Sequence, residues 1–257
     1  MKHYEQLLSM GCFTWEELCE AVGNEATAHS LAYRYLKQGY IARVRRGLYV
    51  ALDILTKSSS VNKYRIASKI STTSYISHHS AFEYYGLQNQ VSYIVNVSSK
   101  TPFTNFDFEG NKYTFVLPRL AQGITSKQDN VQVTDIERTV LDGINDFNKM
   151  MGLEELLRCL SLVPSLDEQR LLSYLDAYNK QVLYQKTGYI LEHLKSELRL
   201  SDYFFKKCAA KIGESKSYFI RGNFSTNVKY HYNNKWRLVA PKNLMQIIQG
   251  GNQNAPI

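Results

Sequence analysis

The chain has 257 residues, of which 44% are hydrophobic and 21% charged, with only 5 Pro and 14 Gly. This composition excludes collagen-like, low-complexity and disordered proteins. No stretch approaches the roughly 18 apolar residues of a membrane span, and the N-terminus lacks the apolar run of a signal peptide, so we expect a cytoplasmic protein. The four cysteines form no Cys-x-x-Cys pair, so we expect neither a disulfide framework nor a structural zinc site, and no cofactor.

The positive charge is concentrated toward the ends of the chain. There are 31 Lys and Arg against 23 Asp and Glu, which gives a net charge of +8. Residues 66–185 hold 10 basic and 13 acidic residues, whereas residues 186–257 hold 12 and 4. This balance favours a polyanionic partner such as nucleic acid.

Three short helices are predicted in the first 40 residues. The first covers residues 2–9. The second begins at a capping box, in which the Thr14 hydroxyl and the Glu17 carboxylate each accept from the other's backbone N–H. The third is capped by Asn24 and ends before Gly39.

The third helix is predicted to be amphipathic. At 100° per residue, one stripe is apolar: Ala28, Leu31, Ala32, Tyr35 and Leu36. The opposite face mixes hydroxyls, an aromatic ring and two cations: Thr27, Ser30, Tyr33, Arg34 and Lys37. Such groups donate to phosphates and base edges, and a helix fits the major groove, so this face is a candidate DNA reader. An ordinary solvated helix face is the alternative.

A hairpin with several arginines is predicted directly after this helix. Residues 41–50 alternate in hydrophobicity and turn at Arg46-Gly47, and Arg43 and Arg45 lie on the first strand. Three helices followed by a hairpin are the order of a winged helix-turn-helix, which we assign to residues 1–57. Arginines on the wing would neutralise phosphates or enter the minor groove, so replacing Arg45 and Arg46 with Ala should lower the salt slope of binding by about 2. A surface hairpin with incidental arginines is the alternative.

A larger α+β region is predicted after a polar boundary segment at residues 55–63. Its helices are expected near 63–69, 77–85, 134–144, 153–160, 166–177, 188–198 and 201–212, and its strands at 91–98, 112–117, 131–133, 217–220, 228–232 and 235–239. Ser77 is the expected cap of the second of these helices, and Thr134 with Glu137 forms a second expected capping box. The tail at 249–254 is expected to fray. We therefore assign residues 63–257 to one α+β region, with a further division near 150–185 left open.

The end of the chain interleaves cations with aromatic rings. The basic residues of this second basic surface are Lys206, Lys207, Lys211, Lys229, Lys235 and Arg237. Cations beside rings suit phosphate neutralisation with stacking. A solvated basic face over an aromatic core is the alternative.

Two groups of residues raise the question of catalysis. His79 and Glu83 are one helical turn apart and could share a metal, but no third ligand follows at a recognisable spacing. Asp135, Glu137 and Asp142 could form a nuclease centre, although Arg138 between them favours an internal ion pair. Phosphate loops, nucleophile elbows and His-Glu-x-x-His are absent from the sequence. We therefore expect no catalytic residue, no metal site and no enzyme.

Three segments give the chain a family resemblance. Residues 36–49, ending in Arg46-Gly47-Leu48-Tyr49, together with residues 77–87 and 133–142, resemble the AbiEi antitoxins. This family is the transcriptional-regulator half of bacterial type IV, or abortive-infection, toxin–antitoxin pairs. The resemblance extends over roughly residues 1–160 and is looser beyond.

The resemblance implies a DNA-binding autorepressor that is also an antitoxin. It implies binding to inverted repeats in its own promoter by a monomer or a cooperative pair, and a nucleotidyltransferase-like toxin that is opposed without a stable complex. The C-terminal region would carry the antitoxin function. Two alternatives stay open: a winged-helix regulator that senses a small ligand or binds a protein, and a metal-dependent nuclease.

Overall fold

The computed structural model describes residues 3–219, 229–242 and 244 of the chain. It is 43% helical and 19% strand, which confirms the predicted α+β class. Contacts group the chain into two units. The first unit comprises residues 1–76, 93–118 and 126–133, and the second comprises residues 77–92, 119–125 and 134–257. The predicted division after residue 57 stays a prediction, and Ile220, Val228 and the tail at 249–254 lie outside the described residues.

The described part of the chain contains short helices and short strands. The helices are α1 (Tyr4–Met10), α2 (Trp15–Val22), α3 (Glu25–Gln38), α4 (Lys63–Ser68), α5 (His79–Tyr84), α6 (Ile136–Asn145), α7 (Leu153–Ser161), α8 (Glu168–Tyr178), α9 (Gln181–Glu192) and α10 (Asp202–Ala210). The strands are β1 (Cys12–Thr14), β2 (Ile41–Arg45), β3 (Leu48–Ala51), β4 (Tyr75–Ile76), β5 (Ile94–Ser98), β6 (Phe106–Phe108), β7 (Asn111–Val116), β8 (Ile124–Ser126), β9 (Gln132–Thr134), β10 (Ser217–Tyr218), β11 (Tyr230–Asn233) and β12 (Leu238–Pro241).

The first unit starts with three helices and a three-stranded sheet. The predicted capping box is confirmed, since Thr14 N donates to Glu17 at 2.8 Å and Glu17 N donates to Thr14 Oγ1 at 3.3 Å. Asn24 caps α3 as predicted. The sheet order is β1-β3-β2, and both pairs are antiparallel. Strand β1 was not predicted, because three residues between two helices show no alternation.

Helix α3 buries the predicted stripe with one exception. Ala28, Leu31, Ala32 and Tyr35 are buried in the core of this small sheet. Leu36 is 38% exposed and was wrongly placed in the stripe. It lies 100° around the helix from Tyr35 and falls at the edge of the buried face.

A second sheet follows within the first unit. Within this unit, its strand order is β6-β7-β5-β4-β9. Strands β5 and β7 pair in parallel over their whole length, and β6 and β7 form an antiparallel hairpin. The strands predicted at 91–98, 112–117 and 131–133 are confirmed as β5, β7 and β9, with different bounds. The two- and three-residue strands β4, β6 and β8 were missed because they are too short to show a period of two.

The second unit packs six helices around one apolar core. Helix α6 lies against α5, α8 and α9 and contributes Val140, Leu141 and Ile144, all fully buried. Its predicted capping box is wrong: the cap is Asp135, which accepts from Arg138 N at 2.8 Å. Thr134 instead bonds to the Thr139 hydroxyl. Helix α6 therefore starts one residue later than predicted. Asp is as favourable as Thr at an N-cap.

Helix α5 also differs at its start. Ser77 does not cap it; its hydroxyl bonds to His78 Nδ1 at 2.9 Å, and His78 occupies the cap position with a φ of 54°. Its buried side includes Ala81 and Phe82, whereas Tyr84 and Tyr85 are partly exposed.

The described C-terminal strands form a small sheet in the order β10-β12-β11. Strand β12 starts at Leu238, not at residue 235 as predicted, and in the turn before it Asn233 Oδ1 accepts from Trp236 N at 3.0 Å. This turn carries Trp236 into the core, where it is fully buried.

Helix α9 depends on one glycine. It begins at Gln181, not at Gly188 as predicted, so Gly188 is interior to the helix. A Cβ on Gly188 would lie 2.1 Å from Trp236 Cζ3, well inside van der Waals contact. The Trp236 indole N–H also donates to Glu192 at 2.8 Å, so the ring is fixed on both sides. Only glycine allows this approach of ring to helix.

We expect Gly188→Ala to lower the free energy of unfolding by about 1–3 kcal/mol, because the added methyl displaces the Trp236 ring. Urea unfolding followed by tryptophan fluorescence measures this. Ser173→Ala, at an exposed position of α8, is the control and should change the free energy by less than about 0.5 kcal/mol. A stabilisation of about 1 kcal/mol, the usual gain of Ala over Gly in a helix, would contradict the packing argument.

Candidate DNA-binding surface

The exposed face of α3 contains all five predicted residues. Thr27, Ser30, Tyr33, Arg34 and Lys37 are exposed, and Tyr33 is 71% exposed. The Thr27 hydroxyl donates to Asn24 Oδ1 at 3.3 Å, and the Ser30 hydroxyl donates to Ala26 O at 3.1 Å. The two hydroxyls thus have local partners, and the Arg34 guanidinium lies 5.7 Å from the centroid of the Tyr35 ring, but the longer side chains remain exposed. Arg34, Lys37 and Tyr33 are therefore the side chains of this face best suited to reach a duplex.

The structure divides the three wing arginines into two kinds. Arg43 and Arg46 are exposed on the β2–β3 hairpin. The Arg45 guanidinium instead lies over two rings, 5.4 Å from the centroid of Phe103 and 5.6 Å from that of Phe106. A β-bulge between Arg43 and Arg45 accompanies this turn of the side chain. Arg45 thus fixes the hairpin to residues 93–118 of the same unit, a contact that sequence spacing does not reveal.

Other basic residues near the wing also have structural partners. Lys57 donates to the carbonyls of Gln38 and Gly39, both at 3.4 Å, at the C-terminus of α3, where a cation offsets the helix dipole. Arg65 donates to Met10 O at 2.7 Å. The basic stretch between residues 33 and 65 therefore serves both the fold and the surface.

The N-terminal segment matches a known family. Residues 4–51 match the model of the family described as "Transcriptional regulator, AbiEi antitoxin". We call residues 4–51 the AbiEi segment after this similarity. The AbiEi segment contains α1 to α3 and the hairpin, so the resemblance predicted from the sequence is confirmed over these residues.

The fold has a known relative beyond the AbiEi segment. The crystal structure of the RV2827C protein from Mycobacterium tuberculosis superposes on 98% of this chain and 94% of that chain, with a TM-score of 0.68 and 11% sequence identity. At that identity, the likeness concerns the fold. A comparison with curated proteins gives no match. Among the described residues, no helix is long and apolar enough to cross a membrane.

Some residues of the second basic surface are exposed, and others form ion pairs or hydrogen bonds within the second unit. Lys206, Lys207 and Lys229 are exposed. Lys211 pairs with Asp176 at 2.7 Å, and Lys235 pairs with Glu192. Arg237 donates to Gly213 O at 2.7 Å. Three of the six predicted residues thus stabilise the second unit, and whether any of the six contacts nucleic acid stays a prediction.

The carboxylates of the nuclease alternative have structural partners. Besides capping α6, Asp135 accepts from the Tyr174 hydroxyl at 2.6 Å. Glu137 accepts from Asp167 N at 3.0 Å. Asp142 pairs with Arg138 Nε at 2.8 Å, which confirms the predicted internal ion pair. These partners account for the carboxylates without a catalytic role.

His79 pairs with a residue far along the chain. Its Nε2 lies 3.2 Å from Glu155 Oε1, and Cys159 Sγ lies 3.5 Å from the same oxygen. In the described part of the chain, these three form the one His/Cys/Asp/Glu group with ligand atoms within 4.8 Å of one another, and all three are buried. Sequence spacing pointed to Glu83 and missed Glu155, which is 76 residues away.

The Glu155 carboxylate is surrounded by donors. The same Oε1 accepts from Asn89 N and Gln90 N, both at 3.0 Å. Burial acts to raise the pKa of Glu155, but the backbone N–H groups of Gln90 and Asn89 outweigh it, so this pKa lies below its ordinary value. The second oxygen, Oε2, accepts from Asn89 Nδ2 at 3.3 Å. We interpret the group as a buried hydrogen-bond centre that holds the loop at 89–90.

Proposed function

We propose that this protein is a cytoplasmic, DNA-binding transcriptional repressor of its own promoter and the antitoxin of a type IV toxin–antitoxin pair. The observation that carries the proposal is the coincidence of the AbiEi segment with three helices and a hairpin whose exposed side chains are rich in cations. A surface with this charge and shape suits a polyanionic duplex.

In the proposed complex, α3 lies in the major groove and the hairpin follows the backbone. Thr27, Ser30, Tyr33, Arg34 and Lys37 face bases and phosphates, and Arg43 and Arg46 neutralise phosphate or enter the minor groove. Arg45 acts through Phe103 and Phe106, which hold the wing in place. A monomer in solution would bind each half of an inverted repeat, and two copies would bind cooperatively.

The antitoxin role is assigned to residues 63–257, with residues 1–57 as the DNA-binding domain. The proposed functional partner is a nucleotidyltransferase-like toxin that forms no stable complex with the antitoxin. The exposed lysines of the second basic surface are the part of this region best placed to meet an anionic partner. A stable 1:1 complex with the product of the neighbouring gene would contradict the type IV assignment and favour direct neutralisation.

A gel shift with the DNA upstream of this gene tests the proposal. It is run at about 50 mM and about 200 mM salt, against an unrelated duplex of equal length. Discrete, salt-sensitive shifts on the promoter that the unrelated duplex does not give are expected. Equal binding to both duplexes would contradict a sequence-specific repressor.

The wing makes a quantitative prediction. We expect Arg43→Ala with Arg46→Ala to lower the slope of log K against log salt by about 2, because each lost phosphate contact removes about 0.9. Lys100→Ala with Lys112→Ala removes two exposed lysines of the same unit that belong neither to α3 nor to the hairpin, and it should leave the slope unchanged. A slope that responds equally to both pairs would assign the effect to net charge and not to the wing.

A further inference from the structure

We propose that the second unit binds a small ligand that carries a phosphate group and a planar ring, of the chemical class of a nucleoside phosphate. The site is a pocket of about 590 Å³ between the segment that follows α6, the start of α9 and strand β10. Its size lies within the range of roughly 300–1,000 Å³ that is usual for small-molecule sites. This inference is independent of the proposed DNA binding.

The pocket wall has an apolar aromatic side. Phe147 and Phe219 are stacked, with ring centroids 5.2 Å apart at an interplanar angle of 24°. Leu153 and Val182 line the same cavity, and Tyr218 stands at its edge, 47% exposed. Phe219 is fully buried, so the accessible rings are those of Phe147 and Tyr218, whose edges suit contact with a planar ring.

Two lysines also line the pocket. The Lys186 ammonium lies 4.8 Å from the centroid of the Phe147 ring and 5.9 Å from that of Phe219, so it stands over the stacked pair. Lys180 Nζ lies 3.4 Å from the neutral Asn145 side chain. The one acidic lining residue, Asp146, already pairs with Lys149. The pocket therefore presents a positive potential to its contents.

Lys180 is the lining residue whose positive charge a bound anion would stabilise most. Burial lowers its pKa, and the like charge of Arg119 lowers it further. A phosphate near the Lys180 ammonium would offset both effects on its pKa. The phosphate is negatively charged, whereas the Asn145 side chain is neutral. The planar ring and the phosphate thus match the aromatic and the cationic residues that line one cavity, and the Asn145 side chain lies beside Lys180.

Calorimetry on the full chain tests the proposal. The probes are the mono- and triphosphates of adenosine and guanosine, with adenosine and inorganic phosphate alone as the two halves of the ligand. We expect saturable binding of a nucleotide, with weaker binding of either half. We expect Lys180→Gln to reduce the nucleotide affinity by about tenfold or more, and Lys180→Arg to retain most of it.

Two further variants separate this site from other cationic surfaces. Lys206→Gln changes an exposed lysine of α10 and should leave the affinity unchanged, and so should Arg43→Gln on the wing. Absence of binding by every nucleotide, equal affinity for inorganic phosphate, or binding that survives Lys180→Gln would each overturn the proposal. Nucleotide binding that is lost in Arg43→Gln and kept in Lys180→Gln would place the ligand on the DNA-binding surface and overturn it as well.

Discussion

Arg138→Met is expected to lower the free energy of unfolding of the second unit by about 3–5 kcal/mol. The Arg138 side chain is 2% exposed and donates to Asp142 Oδ1 at 2.8 Å and to Gln122 O at 2.7 Å. The Tyr178 hydroxyl bonds to the same Asp142 oxygen. Met removes the cation but leaves the carboxylate buried, and an unpaired buried charge is among the most costly defects in a protein. Urea unfolding of wild type and variant measures the difference.

The control for this prediction is a second ion pair with the same spacing. Arg158 pairs with Glu154 at 2.9 Å, also four residues apart, but the side chains are 21% and 43% exposed. Arg158→Met should therefore cost less than about 1 kcal/mol. Arg138→Met with Asp142→Leu should recover part of the loss, because both charges are then removed. A cost for Arg138→Met no larger than that for Arg158→Met would show that burial does not decide the strength of the pair.

Glu155→Ala is expected to destabilise the same unit by about 1–3 kcal/mol. The change removes the acceptor of the N–H groups of the exposed residues Asn89 and Gln90, and it leaves the buried His79 without its carboxylate partner. Each unsatisfied buried group costs about 1–3 kcal/mol. Hydrogen exchange at the amides of residues 89 and 90 should accelerate in the variant, which reports on the loop itself.

The neighbouring glutamate provides the control. Glu154→Ala removes a partly exposed carboxylate from the same helix and should cost less than about 1 kcal/mol. The pH dependence gives a second check. Because the pKa of Glu155 is lowered in the folded state, its stabilisation is complete above the ordinary pKa of about 4.3 and is lost as the pH falls below that value. The difference between wild type and Glu155→Ala should shrink on acidification; a difference independent of pH would contradict a role for the ionised carboxylate.

The sequence predicted the candidate surface more fully than the pocket. The exposed residues of α3 and the wing are close in the chain, so helical and strand periodicity place them without a tertiary structure. The pocket joins Asn145 and Phe147 to Lys180, Lys186 and Phe219, which lie up to 74 residues apart. No local pattern marks such a cavity, since it exists only where distant elements meet.

The sequence by itself determined the α+β class, the capped helices of the AbiEi segment, the hairpin turn at Arg46-Gly47 and the exposed face of α3. These features depend on hydrogen bonds and hydrophobic periodicity within a few residues. Only the tertiary structure decided that Arg45 packs on Phe103 and that His79 pairs with Glu155. It also determined that α9 continues through Gly188. The lack of a side chain at Gly188 is needed only because the Trp236 ring packs against this position, and that contact is tertiary. These contacts join residues far apart in the chain and result from close packing of the folded protein. Local sequence patterns do not distinguish the actual partner from other residues of the same type.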